Sequence, residues 1–214
     1  MAYKTLDLES ACEALKTGGI IAFPTETFYG LGCDALNPDA VGAVYAMKQR
    51  PYGLPLPVII GDIADLGRVA VDIHPLARQL MSAYWPGPLS IIFTASPEVP
   101  DLLTAGTGRI AVRFSPHPGC IALCRASRCV VTASSANISG TPPASTPADL
   151  DPALGSRLAG VYVSPPPPHG GKPSTIVDIL ASGSESAVRI LRDGAISSEY
   201  IRSAGFDVVG ADGQ

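Results

Sequence analysis

The sequence predicts an α/β fold, a single domain whose twisted mixed β-sheet is flanked by helices. Three observations carry that expectation. Short apolar runs of strand length alternate with longer segments of helical periodicity. Proline and glycine sit at the joints, as at Gly18-Gly19, Pro51 and Pro86-Gly87-Pro88. The last two strand-like runs have no helix between them, so part of the sheet must be antiparallel.

Leu8, Ala11, Cys12 and Leu15 repeat at helical spacing over residues 7–17, and Gly18-Gly19 stop them. Residues 20–23 read as a short buried strand. Asn37-Pro38-Asp39 is a helix start: a capping side chain, a proline in the first turn and an acid at the positive dipole end. That helix carries Val41, Val44, Tyr45 and Lys48 and ends near Arg50, because Pro51 disfavours helical geometry in the residue before it. "LPVII" is the next strand, and His74-Pro75 opens a helix that stops at "WPGP". "LSIIF" and "RIAVRF" read as strands, residues 118–126 as a helix, "CVVTA" as a strand, residues 147–158 as a helix and "GVYV" as a strand. "SPPPPHGGKPS" is a loop with a stiff polyproline start and a flexible end. "TIVDIL" and "AVRILR" form a hairpin around Ser182-Gly183-Ser184, and a short helix over residues 197–203 precedes a glycine-rich tail. The expected organisation is one domain over residues 1–205 and a tail over residues 206–214.

The 214 residues are 46% hydrophobic and 16% charged, which suits one sizeable core and excludes a disordered chain. No apolar run approaches the roughly 20 residues of a membrane span. The start, "MAYKTLDLES", lacks the basic head and apolar centre of a secretion signal, so a soluble cytoplasmic protein is expected. A net charge of −4 disfavours a dedicated nucleic-acid binder while leaving room for a local basic cluster. Five cysteines, an odd number, argue against a disulfide framework. Cys120, Cys124 and Cys129, with His117, lack the paired spacing of a metal site, and buried core roles are expected for them.

Polar and basic residues gather at strand and helix ends. "FPTETFYGLG" has neither the lysine of a Walker loop nor the third glycine of a dinucleotide fingerprint. It displays Thr25, Glu26 and Thr27 at a strand end beside a backbone made flexible by Gly30 and Gly32, either to satisfy a turn or to meet a ligand. Lys48 and Arg50 stand at a helix C-terminus, where cations complement the dipole and where a K-x-R pair suits phosphates. Arg109 and Arg113 share one face of a strand with Ala111, and each needs an acid or a bound anion. "TASSANISG" supplies hydroxyl, amide and backbone donors through Ser134, Ser135, Asn137 and Ser139. Lys172, Ser174 and Arg192 can approach the same sheet end. There is no G-x-S-x-G elbow, and each of the three histidines neighbours a proline, so a serine-hydrolase triad is a poor fit. Several cationic patches without a nucleophile–base pair suit binding and orienting a nucleotide better than covalent catalysis.

Taken together, "GGIIAFPTETFYGLGCDA", "AMKQRP", "WPGPLSIIF", "RIAVRF", "TASSANISG", "PSTIVD" and "ILRDGAI" stand in the order found in the YrdC family of threonylcarbamoyl-AMP synthases, which this chain resembles over about residues 19–196. The resemblance implies a YrdC-like fold with a concave basic cavity. It implies ATP, L-threonine and bicarbonate as substrates, with Mg²⁺ expected beside ATP. It also implies supply to the tRNA threonylcarbamoyl transferase machinery and leaves room for direct tRNA contact.

Residue by residue, it assigns Lys48 and Arg50 to the catalytic K-x-R pair on the phosphates, and Ser135, Asn137 and Arg192 to the nucleotide. Thr27, Arg113, Ala133 and Ser174 fall at threonine-binding positions, with Arg113 on the carboxylate. Arg109 stands where longer members often carry a threonine near ATP, and is expected there. Leu54 and Ile59 stand in the stretch where longer members have a threonine-contacting histidine, and Pro143 replaces a serine after S-A-N. These departures place the chain with the short, single-domain branch. The rival expectations are a carbamoyl-adenylate-forming maturation enzyme and a non-catalytic RNA-binding module.

Overall fold

Helices begin where the sequence supplies a cap. In the computed structural model, which describes residues 3–155, 157–182 and 185–210, strand β1 (Thr5–Leu6) leads into helix α1 (Leu8–Lys16). The Asp7 carboxylate accepts the Ser10 N–H there at 2.8 Å. Strands β2 (Ile21–Pro24) and β3 (Tyr29–Gly32) form a hairpin, followed by helix α2 (Pro38–Lys48). Asn37 opens α2 by accepting from the N–H groups of Asp39 and Ala40, and Gln49 closes it in the left-handed region at φ 51°.

Strand β4 (Val58–Ile60), a 3₁₀ turn (Ile63–Arg68) and strand β5 (Ala70–Val71) precede helix α3 (Pro75–Tyr84). Strand β6 (Leu89–Ala95), the short helix α4 (Asp101–Thr104), strand β7 (Arg109–Phe114) and helix α5 (Pro118–Ser127) follow. His74 and His117 cap α3 and α5 through Nδ1, which explains both His-Pro pairs. Then come β8 (Val131–Thr132), β9 (Ser134–Ser135), α6 (Pro152–Gly155) and β10 (Gly160–Tyr162). The chain closes with β11 (Thr175–Ser182), β12 (Glu185–Arg192), α7 (Ser198–Ser203) and β13 (Val208–Val209).

The strands form a 5-stranded sheet in the order β1-β10-β2-β3-β9 and an 8-stranded sheet in the order β13-β12-β11-β6-β7-β4-β8, with β5 paired to β6. Both are mixed: β4 runs parallel to β7, and β6 antiparallel to it. The sheets meet at Thr132, whose hydroxyl accepts the Cys33 N–H at 3.0 Å and donates to the Leu31 carbonyl at 3.2 Å. One apolar cluster joins α1 and α5 to the strands through Leu15, Ile21, Phe23, Ile59, Leu123 and Val131. A larger one packs α2 against Leu31, Val58, Ile91, Val112 and Val177. Each such side chain contributes about 1.5–3 kcal/mol through burial. Strand β7 buries Ile110 and Val112, and by alternation turns Arg109, Ala111 and Arg113 to its other face.

Three expectations are corrected. Residues 147–158 do not form one helix. A 3₁₀ turn (Pro147–Asp149) is followed by α6, and the Asp149 carboxylate folds back to accept the N–H groups of Ser145 and Thr146. The glycine-rich end of "FYGLG" is a strand, β3, not a flexible passage. A Cβ at Gly32 would lie 2.7 Å from both Phe23 Cε1 and Val131 Cγ1, so close packing explains that glycine. The sequence past residue 205 is not wholly a tail, because Val208 and Val209 pair in parallel with β12. Residues 183 and 184 of the expected hairpin turn lie outside the described residues.

All five cysteines are buried free thiols, and burial pushes Cys33 up to about 12. Among the described residues no group of three or more His, Cys, Asp or Glu is placed to hold a metal ion. No helix among them is long and apolar enough to cross a membrane.

Candidate active site

A cleft of about 490 Å³ is lined by residues of both sheets. The β2–β3 turn, the Ala133–Ser135 segment and the open face of β6, β7, β11 and β12 enclose it. Ala111, Ile92, Ile176 and Leu191 come from four adjacent strands and make an apolar floor. Seven expected site residues line the cleft: Thr27, Arg50, Arg113, Ala133, Ser135, Ser174 and Arg192. They lie up to 165 positions apart, from Thr27 to Arg192.

At one end the β2–β3 turn is closed by Thr25. Its hydroxyl donates to the Phe28 carbonyl at 2.7 Å and accepts the N–H groups of Thr27 and Phe28 at 3.3 Å. Both threonines line the cleft, but Thr25 is committed to closing the turn, while Thr27 presents its hydroxyl beside Arg113. Arg113 Nη1 reaches the Thr27 hydroxyl at 3.4 Å and lies 3.3 Å from Glu26 Oε1. Across the cleft, Arg192 Nη2 donates to Ser174 Oγ at 3.0 Å and Arg192 Nε to the Ser174 carbonyl at 2.9 Å. Ser90 Oγ lies 3.2 Å from Ser174 Oγ and fixes it from the sheet side.

Arg50 holds its own turn, donating from Nε to the Leu54 carbonyl at 3.1 Å and from Nη2 to the Pro55 carbonyl at 2.9 Å. Partial burial, then the charges of Arg113 and Arg50, lower the Arg192 guanidinium below its usual value. Burial also lowers Arg50. Among the described residues no acid lines this cleft, so its three arginines face an interior without a lining carboxylate. Such a field favours an anionic ligand.

Three expected residues are placed elsewhere. Lys48 is 2% exposed and lies behind the lining, where Nζ donates to the Ser135 carbonyl, to the Asn137 carbonyl at 2.7 Å and to Asn137 Oδ1 at 3.1 Å. Asn137 Oδ1 also accepts from Ser135 Oγ at 2.6 Å, and its Nδ2 donates to the Thr141 carbonyl. Lys48 and Asn137 therefore build the S-A-N loop in this structure instead of facing the cleft. A lysine spaced for phosphate is equally suited to a cluster of backbone carbonyls, and sequence spacing does not distinguish the two.

Arg109 is the third. It bonds Asp178, which also takes Arg189 at 2.6 Å and the Ile179 N–H at 2.8 Å. An acid from the neighbouring hairpin satisfies this arginine, so it does not line the cleft as expected of an ATP contact. Its side chain is 43% exposed. Arg109→Ala is accordingly expected to lower stability by at most about 1 kcal/mol. ATP affinity should stay within about two-fold, which steady-state kinetics over ATP concentration would check.

Sequence reading missed Ser90 and the apolar floor. The available signal was period two in "LSIIF", which puts Ser90 and Ile92 on one face. Which face stays open depends on where the helices pack.

The Sua5_yciO_yrdC family model, described as "Telomere recombination", matches residues 13–194. The threonylcarbamoyl-AMP synthase of Bacillus subtilis (strain 168) is 36% identical over 197 residues, covering 92% of this chain and 56% of that protein. The protein of the same name from Xylella fastidiosa (strain 9a5c) is 38% identical over 164 residues, covering 75% of this chain and 87% of that protein. Among solved structures, P. abyssi Sua5 complexed with L-threonine is similar at a TM-score of 0.86 and 28% identity, over 96% of this chain and 62% of that one. The chain thus spans little more than half of the Bacillus relative and most of the Xylella one. The family match covers most of the chain, including every cleft residue described above, and on that ground the protein belongs to the Sua5/YciO/YrdC family.

Proposed function

We propose that this chain is a threonylcarbamoyl-AMP synthase, joining L-threonine, bicarbonate and ATP into threonylcarbamoyl-AMP with release of pyrophosphate. The observation that carries this reading is one cleft, with no acid among its described lining residues, that brings together Thr27 and Arg113, the Ser174–Arg192 pair, and Arg50 with Ser135. The names of the relatives, and the L-threonine bound to P. abyssi Sua5, support it.

In this reading the threonine carboxylate meets the Arg113 fork. The side-chain hydroxyl meets Thr27 or Ser174. Pairing that hydroxyl rejects amino acids that lack it. The adenine ring lies on Ile92, Ala111, Ile176 and Leu191. Bicarbonate is dehydrated to carbon dioxide. The neutral amine attacks its carbon and loses a proton to solvent, giving a carbamate. A carbamate oxygen then attacks the α-phosphorus of ATP in line. The P–O bond to pyrophosphate breaks, and a mixed anhydride remains.

Both partners in that step are anions. The chain's contribution is to hold them together in a fixed positive field. Mg²⁺ belongs to the substrate here: the cleft lining has no carboxylate, and the ion arrives on the triphosphate with its waters. The product would pass in the cytoplasm to the tRNA threonylcarbamoyl transferase machinery.

The test is pyrophosphate release from ATP with threonine or bicarbonate left out in turn. Release is expected only when both are present. Release at the same rate without threonine would refute the assignment.

A further inference from the structure

Thr27 is a shared wall. Besides the main cleft it lines a second cavity of about 330 Å³, together with Glu26, Pro88, His169, Gly170, Lys172 and Ala195. Among the residues lining either cavity, Glu26 is the sole acid. Its side chain is 11% exposed, so its charge needs partners within the protein. Oε1 lies 3.3 Å from Arg113 Nη1, and Oε2 accepts from the Ser115 hydroxyl.

The same residue is stitched to the 164–174 segment by two routes. The Glu26 carbonyl accepts the His169 N–H at 3.0 Å, and the neighbouring Thr27 carbonyl accepts the Gly170 N–H at 2.8 Å. Through its side chain, Glu26 reaches Ser115, whose Oγ also accepts the His117 N–H at 3.2 Å. The His117 ring accepts the Cys120 N–H at Nδ1, which leaves the proton on Nε2 to donate to the Pro166 carbonyl at 2.7 Å. Arg113 and, through Ser115 and His117, the Pro166 end of the 164–174 segment therefore meet at the Glu26 carboxylate, while the His169–Gly170 end is held by the backbone of the same turn.

The contacts of Arg113 leave its fork available. Both of them use Nη1. Among the described residues Nη2 and Nε have no protein partner, and these are two donors for an incoming carboxylate. The Glu26 carboxylate offsets part of the buried positive charge of Arg113 from the Nη1 side.

We infer that Glu26 is a positioning residue for the amino-acid end of the cleft: its carboxylate sets the Arg113 guanidinium and makes the seating of the 164–174 segment part of amino-acid binding. The identity of that amino acid rests on the function proposed above. Glu26 acts through Arg113 and not on the reacting atoms, so its loss falls on KM for the amino acid and leaves KM for ATP in place.

The experiment pairs steady-state kinetics with amide hydrogen exchange on the full chain carrying Glu26→Gln or Glu26→Asp. Glu26→Gln is expected to raise KM for L-threonine ten-fold or more and to keep KM for ATP within two-fold. It should also speed exchange at His169 and Gly170. Glu26→Asp retains the charge and is expected to recover at least a third of the lost affinity. A threonine KM within two-fold of the parent value overturns the inference. So does a parallel rise in both KM values with a lowered melting temperature, which marks general damage. If the unsubstituted protein shows no threonine-dependent pyrophosphate release, the substrate assignment fails separately, and the exchange arm still decides. Unchanged exchange at His169 and Gly170 in both variants would then sink the tether.

Discussion

Arg113→Ala is expected to raise KM for L-threonine by roughly 100-fold, the equivalent of about 3 kcal/mol, with a much smaller effect on KM for ATP. Arg113 is 6% exposed and is the cation at the Thr27 end of the cleft. Its removal would withdraw the proposed partner of the amino-acid carboxylate and at the same time strand the Glu26 carboxylate. Stranding one member of a buried pair costs about 3–5 kcal/mol, so the variant should also melt earlier. The two effects separate in the double variant Arg113→Met with Glu26→Gln. That pair removes both charges and should recover most of the melting temperature, while threonine affinity stays low. Isothermal titration with L-threonine, beside thermal melts of parent, single and double variants, checks both. Threonine affinity unchanged in Arg113→Ala would show that the carboxylate binds elsewhere.

Much of the fold was legible because its signals are local. Asp7, Asn37 and the two His-Pro pairs cap helices by side-chain bonds within three residues, and such bonds depend little on the rest of the chain. The strands "LSIIF", "RIAVRF" and "TIVDIL" are apolar enough to be recognised alone. What failed depends on distant partners. Strand β3 carries two glycines and reads as a loop, yet it is held between β2 and β9. Strands β1 and β13 have two residues each and exist only through pairing with β10 and β12.

The site divides in the same way. Residue types were readable, since arginines and hydroxyls at strand ends in an α/β chain point to an anionic ligand. Which of them face the ligand was not. Arg109 and Arg113 stand on one face of one strand, four apart, and the pattern treats them alike. Asp178 on β11 takes the first away from the cleft, while Glu26 on the β2–β3 turn leaves the second inside it. Only the arrangement of strands decides which acid reaches which arginine. The partners of Lys48 are hidden for a related reason: three carbonyl oxygens brought together by a loop 87 residues downstream leave no mark in the local sequence.

That arrangement makes Lys48 sensitive to pH in a way that tests its role. Burial, and then the charge of Arg50, lower its amine from 10.5 to about 8. An ammonium has three N–H groups for the three oxygens around it; a neutral amine has two. As pH rises through about 8, one of the three Lys48 contacts is therefore lost and the Ser135–Asn137 loop loosens. ATP affinity is expected to fall over that range, with a midpoint near 8. Stability should respond in the opposite direction. Between about 8 and 10.5 the unfolded chain holds this proton and the folded chain does not, so this group's contribution to stability rises with pH across that window. Below about 8 both states hold the proton, and the cost of burying the charge is present in full.

Lys48→Met removes the titration and leaves the Asn137 carbonyl without its donor, while the Ser135 carbonyl keeps the Asn137 N–H and Asn137 Oδ1 keeps the Ser135 hydroxyl. It is expected to cost about 1–3 kcal/mol of stability and to raise KM for ATP ten-fold or more. Its ATP affinity should then be flat from pH 7 to 9, where the parent's declines. Thermal melts and ATP titrations at matched pH values on the two proteins supply the comparison. A parent whose ATP affinity does not change through pH 8, or a Lys48→Met variant that keeps the parent's decline, would remove Lys48 as the support of the nucleotide loop.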